Sequence, residues 1–258
     1  MKICIFHQLN TLNPVMPINS WFREWFDSED YHTLYNHRNQ EEAESFIQNL
    51  HDLINRPNMR VLDMACGKGR HAQIFANLGH STVGFDLSKN SIEQAQNKNV
   101  HGLAFHVHDM REPFPFGQFD LIASLFTSLG YFDRMEENML PIQHAADCLN
   151  KNGLLIIDFI NVFPAVAKMK AEEVIEKNGV QYHIERSVKD RVLIKRIRFK
   201  RNDTWQEHEE RVFGLVREDF MQCFKDNNLV CKEVFGDYSL NYFDKQRSPR
   251  LILIAQKQ

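Results

Sequence analysis

Apolar and polar positions follow one another along this chain in three different ways, and the changes between them mark its organisation. Between residues 17 and 57 the spacing is helical. Trp21, Phe22, Trp25 and Phe26 fall at i, i+1, i+4 and i+5, and Glu42 to Leu53 reads as an amphipathic helix. From residue 58 onward short apolar runs take over, at Val61–Leu62, Ser81–Asp86, Leu103–Val107, Phe119–Leu125 and Gly153–Phe159, with helical stretches such as Ala72–Leu78 between them. Nearly continuous apolar runs of this length belong to strands buried on both faces. Between 175 and 214 the pattern becomes alternating. Val180–Val188, Val192–Phe199 and Thr204–Phe213 are separated by turn-like Lys-Asp and Arg-Asn-Asp, as in a half-exposed antiparallel meander. Glu218–Asn227 then reads as a helix, and Leu229–Phe235 with Leu251–Gln256 as a final hairpin.

The junction Val61-Leu62-Asp63-Met64-Ala65-Cys66-Gly67-Lys68-Gly69-Arg70-His71-Ala72 carries the chemistry. A strand ends in an acid, a Gly-x-Gly follows four positions later, and a helix begins. Glycines let the backbone turn sharply and let a ligand approach the main chain, so a nucleotide-like ligand at the end of the first strand is expected. A dinucleotide would place its pyrophosphate at the helix N-terminus, away from an anion. Asp63 suits instead a ligand with a cationic ammonium and a sulfonium, S-adenosylmethionine. Asp86 ends the second strand 19 residues past Gly67, where a carboxylate meets ribose hydroxyls. Asp109 and Met110 close the third strand, where a carboxylate and a backbone N–H can read adenine.

With these residues the chain resembles the class I S-adenosylmethionine-dependent methyltransferases. The likeness rests on residues 61–69, Asp86, Asp109-Met110, Phe119-Asp120 and the Lys151-Asn152-Gly153 turn. It covers roughly 45–160 and resumes at the closing hairpin. More narrowly, the chain is similar to bacterial small-molecule methyltransferases with an aromatic N-terminal helix, Tyr31-x-x-x-Tyr35-x-x-Arg38, and a late β insertion. The resemblance implies an α/β fold: a Rossmann-like, doubly wound, mostly parallel sheet closed by an antiparallel hairpin, plus a small antiparallel β insertion. It divides the chain into an extension at 1–16, a helical lid at 17–57, the α/β domain at 58–174 and 215–258, and the insertion at 175–214. It also implies a cofactor site of Tyr35, Arg38, Asp63, Ala65, Gly67, Gly69, Asp86, Leu87, Asp109, Met110 and Phe126. On the acceptor side it implies Tyr131 and Phe132, with Arg186 and Arg211 on an insertion that roofs the pocket.

Composition narrows the partners. The 258 residues carry a net charge of −3, which disfavours non-specific nucleic-acid or membrane binding. Five scattered cysteines without metal-type spacing, and no apolar run near the ~20 residues of a membrane span, point to a cytoplasmic protein. Met16 offers an alternative start, since the likeness begins near Trp21. The sequence lacks the Asp/Asn-Pro-Pro-Tyr/Phe and Pro-Cys motifs of methyltransferases acting on DNA bases. The basic stretch from Arg186 to Arg201 reads as edge-strand charge, with RNA the less favoured partner. His106 and His108 share a strand face without further ligands, so no metal is expected. His71 reads as solvated or as a substrate contact and Asp120 as a turn residue without a catalytic role, while His183, His208, Tyr131 and Tyr242 stand as candidate bases. The oligomeric state is not legible. Three alternatives stay open: a dinucleotide-dependent oxidoreductase, a non-catalytic cofactor-binding module, and an RNA-modifying enzyme.

Overall fold

The computed structural model describes residues 21–35, 40–97 and 100–258. The 1–16 extension and Arg38 lie outside the described residues. Two short helices, α1 (Trp21–Phe26) and α2 (Glu29–Leu34), precede α3 (Gln40–Ile54). Strand and helix then alternate through β1 (Arg60–Met64), α4 (Arg70–Asn77), β2 (Ser81–Asp86), α5 (Lys89–Gln96) and β3 (Leu103–Val107). They continue through β4 (Phe119–Ser124), α6 (Met135–Asp147), β5 (Leu149–Ile160) and α7 (Val162–Ala167). Four strands follow, β6 (Glu172–Lys177), β7 (Val180–Lys189), β8 (Val192–Arg201) and β9 (Thr204–Phe213). The chain closes with α8 (Arg217–Asp226), β10 (Leu229–Phe235) and β11 (Arg250–Lys257).

The main sheet has the order β10-β11-β5-β4-β1-β2-β3. Its β11 is antiparallel to both β10 and β5, and the remaining neighbours are parallel. Strand order therefore reverses between β1 and β4, which opens a crevice at their carboxyl ends. The apolar runs of the central strands β1, β4, β5 and β11 are continuous because each of these strands feeds two cores. Leu62, Ile122, Phe159 and Leu253 pack on the side of α6 and α8, while their neighbours Val61, Leu121 and Ile252 pack with Phe46, Leu50 and Phe75 of α3 and α4.

The second sheet, β6-β7-β8-β9, is antiparallel throughout. It begins at Glu172, earlier than the alternation at 180 suggests, and has four strands where three were read. The extra strand, Glu-Glu-Val-Ile-Glu-Lys, lies at the sheet edge with no fully buried residue, so its charged positions mask the alternation.

The lid rests on this second sheet. Trp25 and Leu34 are buried with Tyr182, Ile184, Ile197 and Phe199 in one apolar cluster. Glu210 of β9 accepts hydrogen bonds from Trp25 Nε1 (2.6 Å) and from the Tyr35 hydroxyl (2.6 Å). Lys195 of β8 donates to the same Tyr35 oxygen at 2.5 Å. Asp30 of α2 accepts from the Tyr182 hydroxyl (3.2 Å) and pairs with Arg201.

Between β1 and α4 the two glycines do different things. Gly69 caps α4 in the left-handed region (φ +72°), and a Cβ there would stand 2.3 Å from the Phe105 ring. Gly67 (φ +53°) has open space where its Cβ would be. Gly69→Ala should therefore destabilise the fold by about 2 kcal/mol or more, since left-handed backbone costs a non-glycine residue ~1–2 kcal/mol and overpacking adds ~1–3 kcal/mol. Urea unfolding of the variant against wild type measures this, and an unchanged midpoint would show that Phe105 yields freely.

Candidate functional site

A cavity of about 310 Å³ opens where the strand order reverses. Its floor comes from four consecutive strand ends: Ala65, Gly67 and Lys68 after β1, Asp86 and Leu87 after β2, His108 to Met110 after β3, and Phe126 to Ser128 after β4. Tyr131 and Phe132 form a side wall, and Phe22, Phe26 and Tyr31 of the lid lie over it. The roof is aromatic and interlocked. Phe26 meets Tyr31 at 4.9 Å and Tyr131 at 5.0 Å between ring centroids, and Phe22 meets Phe132 at 5.8 Å.

Strand-end carboxylates hold this floor in shape. Asp86 accepts from the N–H of Gly67 (2.8 Å) and of Ser88 (2.9 Å), fixing the glycine loop to the second strand end. The Leu87 N–H also lowers the Asp86 pKa as a backbone hydrogen-bond partner, and since a carboxylate has about four acceptor positions, these three leave it able to accept from a ligand. Burial raises the Asp86 pKa above the ordinary carboxylate range, against the lowering effect of those N–H groups. Ser88 caps α5 and donates to Asp27 of the lid, and Asn90 Nδ2 donates to the Asp27 carbonyl at 3.3 Å. The roof is thus tied to the floor beside Asp86.

Asp63 sits elsewhere. It is 1% exposed, lies behind the loop and outside the cavity lining, and accepts from the Ala72 N–H at 3.0 Å. Burial pushes its pKa up to about 7, with the Ala72 N–H opposing. The acid at the end of β1 holds the start of α4 through one carboxylate oxygen.

Of the other expected cofactor residues, Ala65, Gly67, Asp86, Leu87, Asp109, Met110 and Phe126 come together in the cavity wall, as do Tyr131 and Phe132. Gly69 is outside it, packed on Phe105. Tyr35 also stands outside, its hydroxyl engaged by Glu210 and Lys195. Asp109 is gripped bidentately by Arg111, at 3.1 and 2.7 Å, and the Arg111 guanidinium lies 4.7 Å over Phe132. Arg186 pairs with Glu173 (2.8 Å), and Arg211 approaches Asp133 and Glu209, each at 3.9 Å. Neither lines the cavity, and no residue of β6 to β9 does among the described residues. The insertion supports the roof without being the roof.

Its basic stretch is largely answered across strands, Arg196 by Glu209, Arg198 by Glu207 and Lys195 by Glu210. The rings of His106 and His108 pack on Phe116. His71 is not solvated: it is 6% exposed in the cavity wall, its ring 5.7 Å from that of Phe126. His208 stacks on Trp25 at 4.3 Å, His183 meets Trp205, and Tyr242 is 84% exposed, so all three stand away from the cavity.

One group escaped the sequence reading. Asp158, fully buried near the end of β5, accepts from the Phe126 N–H (2.9 Å), the Tyr238 hydroxyl (3.1 Å) and Arg250 Nε (2.7 Å). Phe126 and Thr127 both have positive φ, +63° and +61°. For bulky and β-branched residues this costs about 1–3 kcal/mol each and persists only where neighbours impose it. A signal was present: an acid inside Leu-Leu-Ile-Ile-Asp-Phe-Ile is a buried charge that demands a partner.

Comparison with known proteins fits this geometry. A family model described as a methyltransferase domain matches residues 55–226. The chain belongs to the methyltransferase-domain family. The mostly parallel sheet closed by an antiparallel pair is the fold that the sequence resemblance implies. Over 99 residues this family member is 31% identical to dTDP-3-amino-3,4,6-trideoxy-alpha-D-glucopyranose N,N-dimethyltransferase of Streptomyces venezuelae, covering 38% of this chain and 41% of that one. The match thus spans less than half of that relative's length. The fold is shared with an S-adenosylmethionine-dependent methyltransferase of Clostridium acetobutylicum, at TM-score 0.75 and 18% identity over 88% of this chain and 95% of that one. It is shared too with an S-adenosylmethionine-bound amino pentose methyltransferase from Micromonospora echinaspora, at TM-score 0.67 and 18% identity over 90% and 98%.

The Asp63 placement gives a pH test. Its pKa is near 7 when folded and about 3.8 when unfolded, so folding takes up a proton between those values. Raising the pH through that window therefore costs the folded state stability. Asp63→Asn keeps an acceptor for Ala72 and loses the titration. The stability of wild type relative to the variant should fall from pH 5 to pH 8 in urea unfolding; a constant difference would place the Asp63 pKa outside the window.

Proposed function

We propose that this chain transfers a methyl group from S-adenosylmethionine to the nitrogen of a small amine acceptor, of the amino-sugar class named for its relatives. The observation that carries the reading is the convergence of four strand ends on one cavity. There Gly67 leaves its backbone open where a Cβ would stand, and Asp86 lies beside it. The residues present fit the cofactor: Gly67 offers backbone access, Asp86 retains acceptor capacity for ribose hydroxyls, and Leu87 and Met110 give apolar surface for adenine. When bound, S-adenosylmethionine supplies a methyl group on a sulfonium, already a good leaving group.

The protein's part is alignment and exclusion of water, and positioning of reactants can supply roughly 7–11 kcal/mol. Phe26, Tyr31 and Tyr131 offer aromatic surfaces that suit a cationic or partly charged amine. An amine loses one proton for each methyl gained. We assign that proton to His71, because imidazole is the side chain that exchanges protons near neutral pH and this one lies in the cavity wall. Pairing of the basic stretch within the second sheet supports a small acceptor over RNA.

Release of S-adenosylhomocysteine, followed across amino sugars and their hydroxyl counterparts, tests the acceptor class. Turnover confined to the hydroxyl compounds would overturn it. Asp86→Ala should weaken S-adenosylhomocysteine binding at least tenfold in calorimetry, since a hydrogen bond to a charged group contributes about 1.5–3 kcal/mol. An unchanged dissociation constant would remove Asp86 from the site.

A further inference from the structure

We propose that Asp158, Arg250 and Tyr238 are positioning residues that hold Phe126 and Thr127 in their left-handed conformation and thereby set the shape of the cavity wall after β4. The three come from separate parts of the chain: the end of β5, the start of β11 and the loop before it. Their polar contacts converge on two adjacent residues. One Asp158 oxygen receives the Phe126 N–H at 2.9 Å and the Tyr238 hydroxyl at 3.1 Å; the other receives Arg250 Nε at 2.7 Å. A second arm of the Arg250 guanidinium donates to Thr127 Oγ1 at 2.9 Å, and the Asp158 carbonyl receives the Thr127 N–H at 3.0 Å.

The side chains add a clamp. The Tyr238 ring stacks on Phe126 at 5.6 Å, and the Arg250 and Arg70 guanidinium groups lie 5.9 and 4.8 Å from the Phe126 ring. Phe126 and Thr127 line the cavity, whereas Asp158, Arg250 and Tyr238 do not. The three act on a ligand only through the loop. A strained segment over-determined by its neighbours is the arrangement expected where backbone geometry matters to a site.

The experiment uses the full chain, with Tyr238→Phe and Arg250→Lys as paired variants. Amide hydrogen exchange is followed by mass spectrometry in peptides covering 121–132 and, as control, 58–66, and S-adenosylhomocysteine affinity is measured by calorimetry. Exchange in 121–132 should rise at least tenfold in both variants while the control peptide keeps its protection, and affinity should fall at least fivefold. Unchanged loop exchange, or a rise matched in the control peptide, overturns the proposal; so does a loosened loop with full affinity. If Arg250→Lys does not fold, Tyr238→Phe decides alone. The affinity readout rests on the cofactor reading. A wild type that does not bind S-adenosylhomocysteine would sink that reading, while the exchange result still decides whether these residues hold the loop.

Discussion

Backbone N–H groups at the start of α4 and in the glycine loop before it need acceptors, and two strand-end carboxylates supply them. Asp63 takes Ala72 and Asp86 takes Gly67. Without the first of those bonds the buried Ala72 N–H would have no acceptor, a cost of about 1–3 kcal/mol. With them the loop is fixed against both β1 and β2, and the cavity acquires a floor. The crevice itself follows from strand order; its shape follows from these two acids.

Much of this was legible. Apolar runs at 61–62, 119–125 and 153–159 are strands whose successive residues face one of two cores, while 81–86 and 103–107 lie toward the sheet edge and are buried less completely. Asp86, Asp109 and Met110 were placed by their position at strand ends, and the structure brings them to one cavity. The bond from the Ala72 N–H to Asp63 was not legible. Spacing locates an acid at the end of β1 but does not say which way the carboxylate turns, and the nearest unsatisfied donor proved to be the protein's own. Gly69 shows the same limit, since its closeness to Phe105 depends on how β3 packs under the loop.

Long-range partners account for the rest. Asp158 and Arg250 are 92 residues apart, and Tyr35 meets Glu210 across 175. Alternation at 180–213 indicated strands correctly but gave no hint that their inner face would carry the lid. The basic stretch there reads from the sequence as edge-strand charge, and its partners come from the next strand. Once β8 and β9 pair, Arg196 faces Glu209 and Arg198 faces Glu207, and each has an answer inside the sheet.

The lid's attachment also bears on how the molecule forms. Trp25 reaches its acceptor on β9 across 185 residues of chain, and Asp30 reaches Tyr182 across 152. Loop-closure entropy must be met before such contacts stabilise anything. The two short helices, of six residues each, are far below the ~12–15 residues at which an isolated helix is even marginal in water. Their order is therefore borrowed from a sheet that can receive them only after β7, β8 and β9 have paired. The two helices precede that sheet in the chain and depend on it for their order.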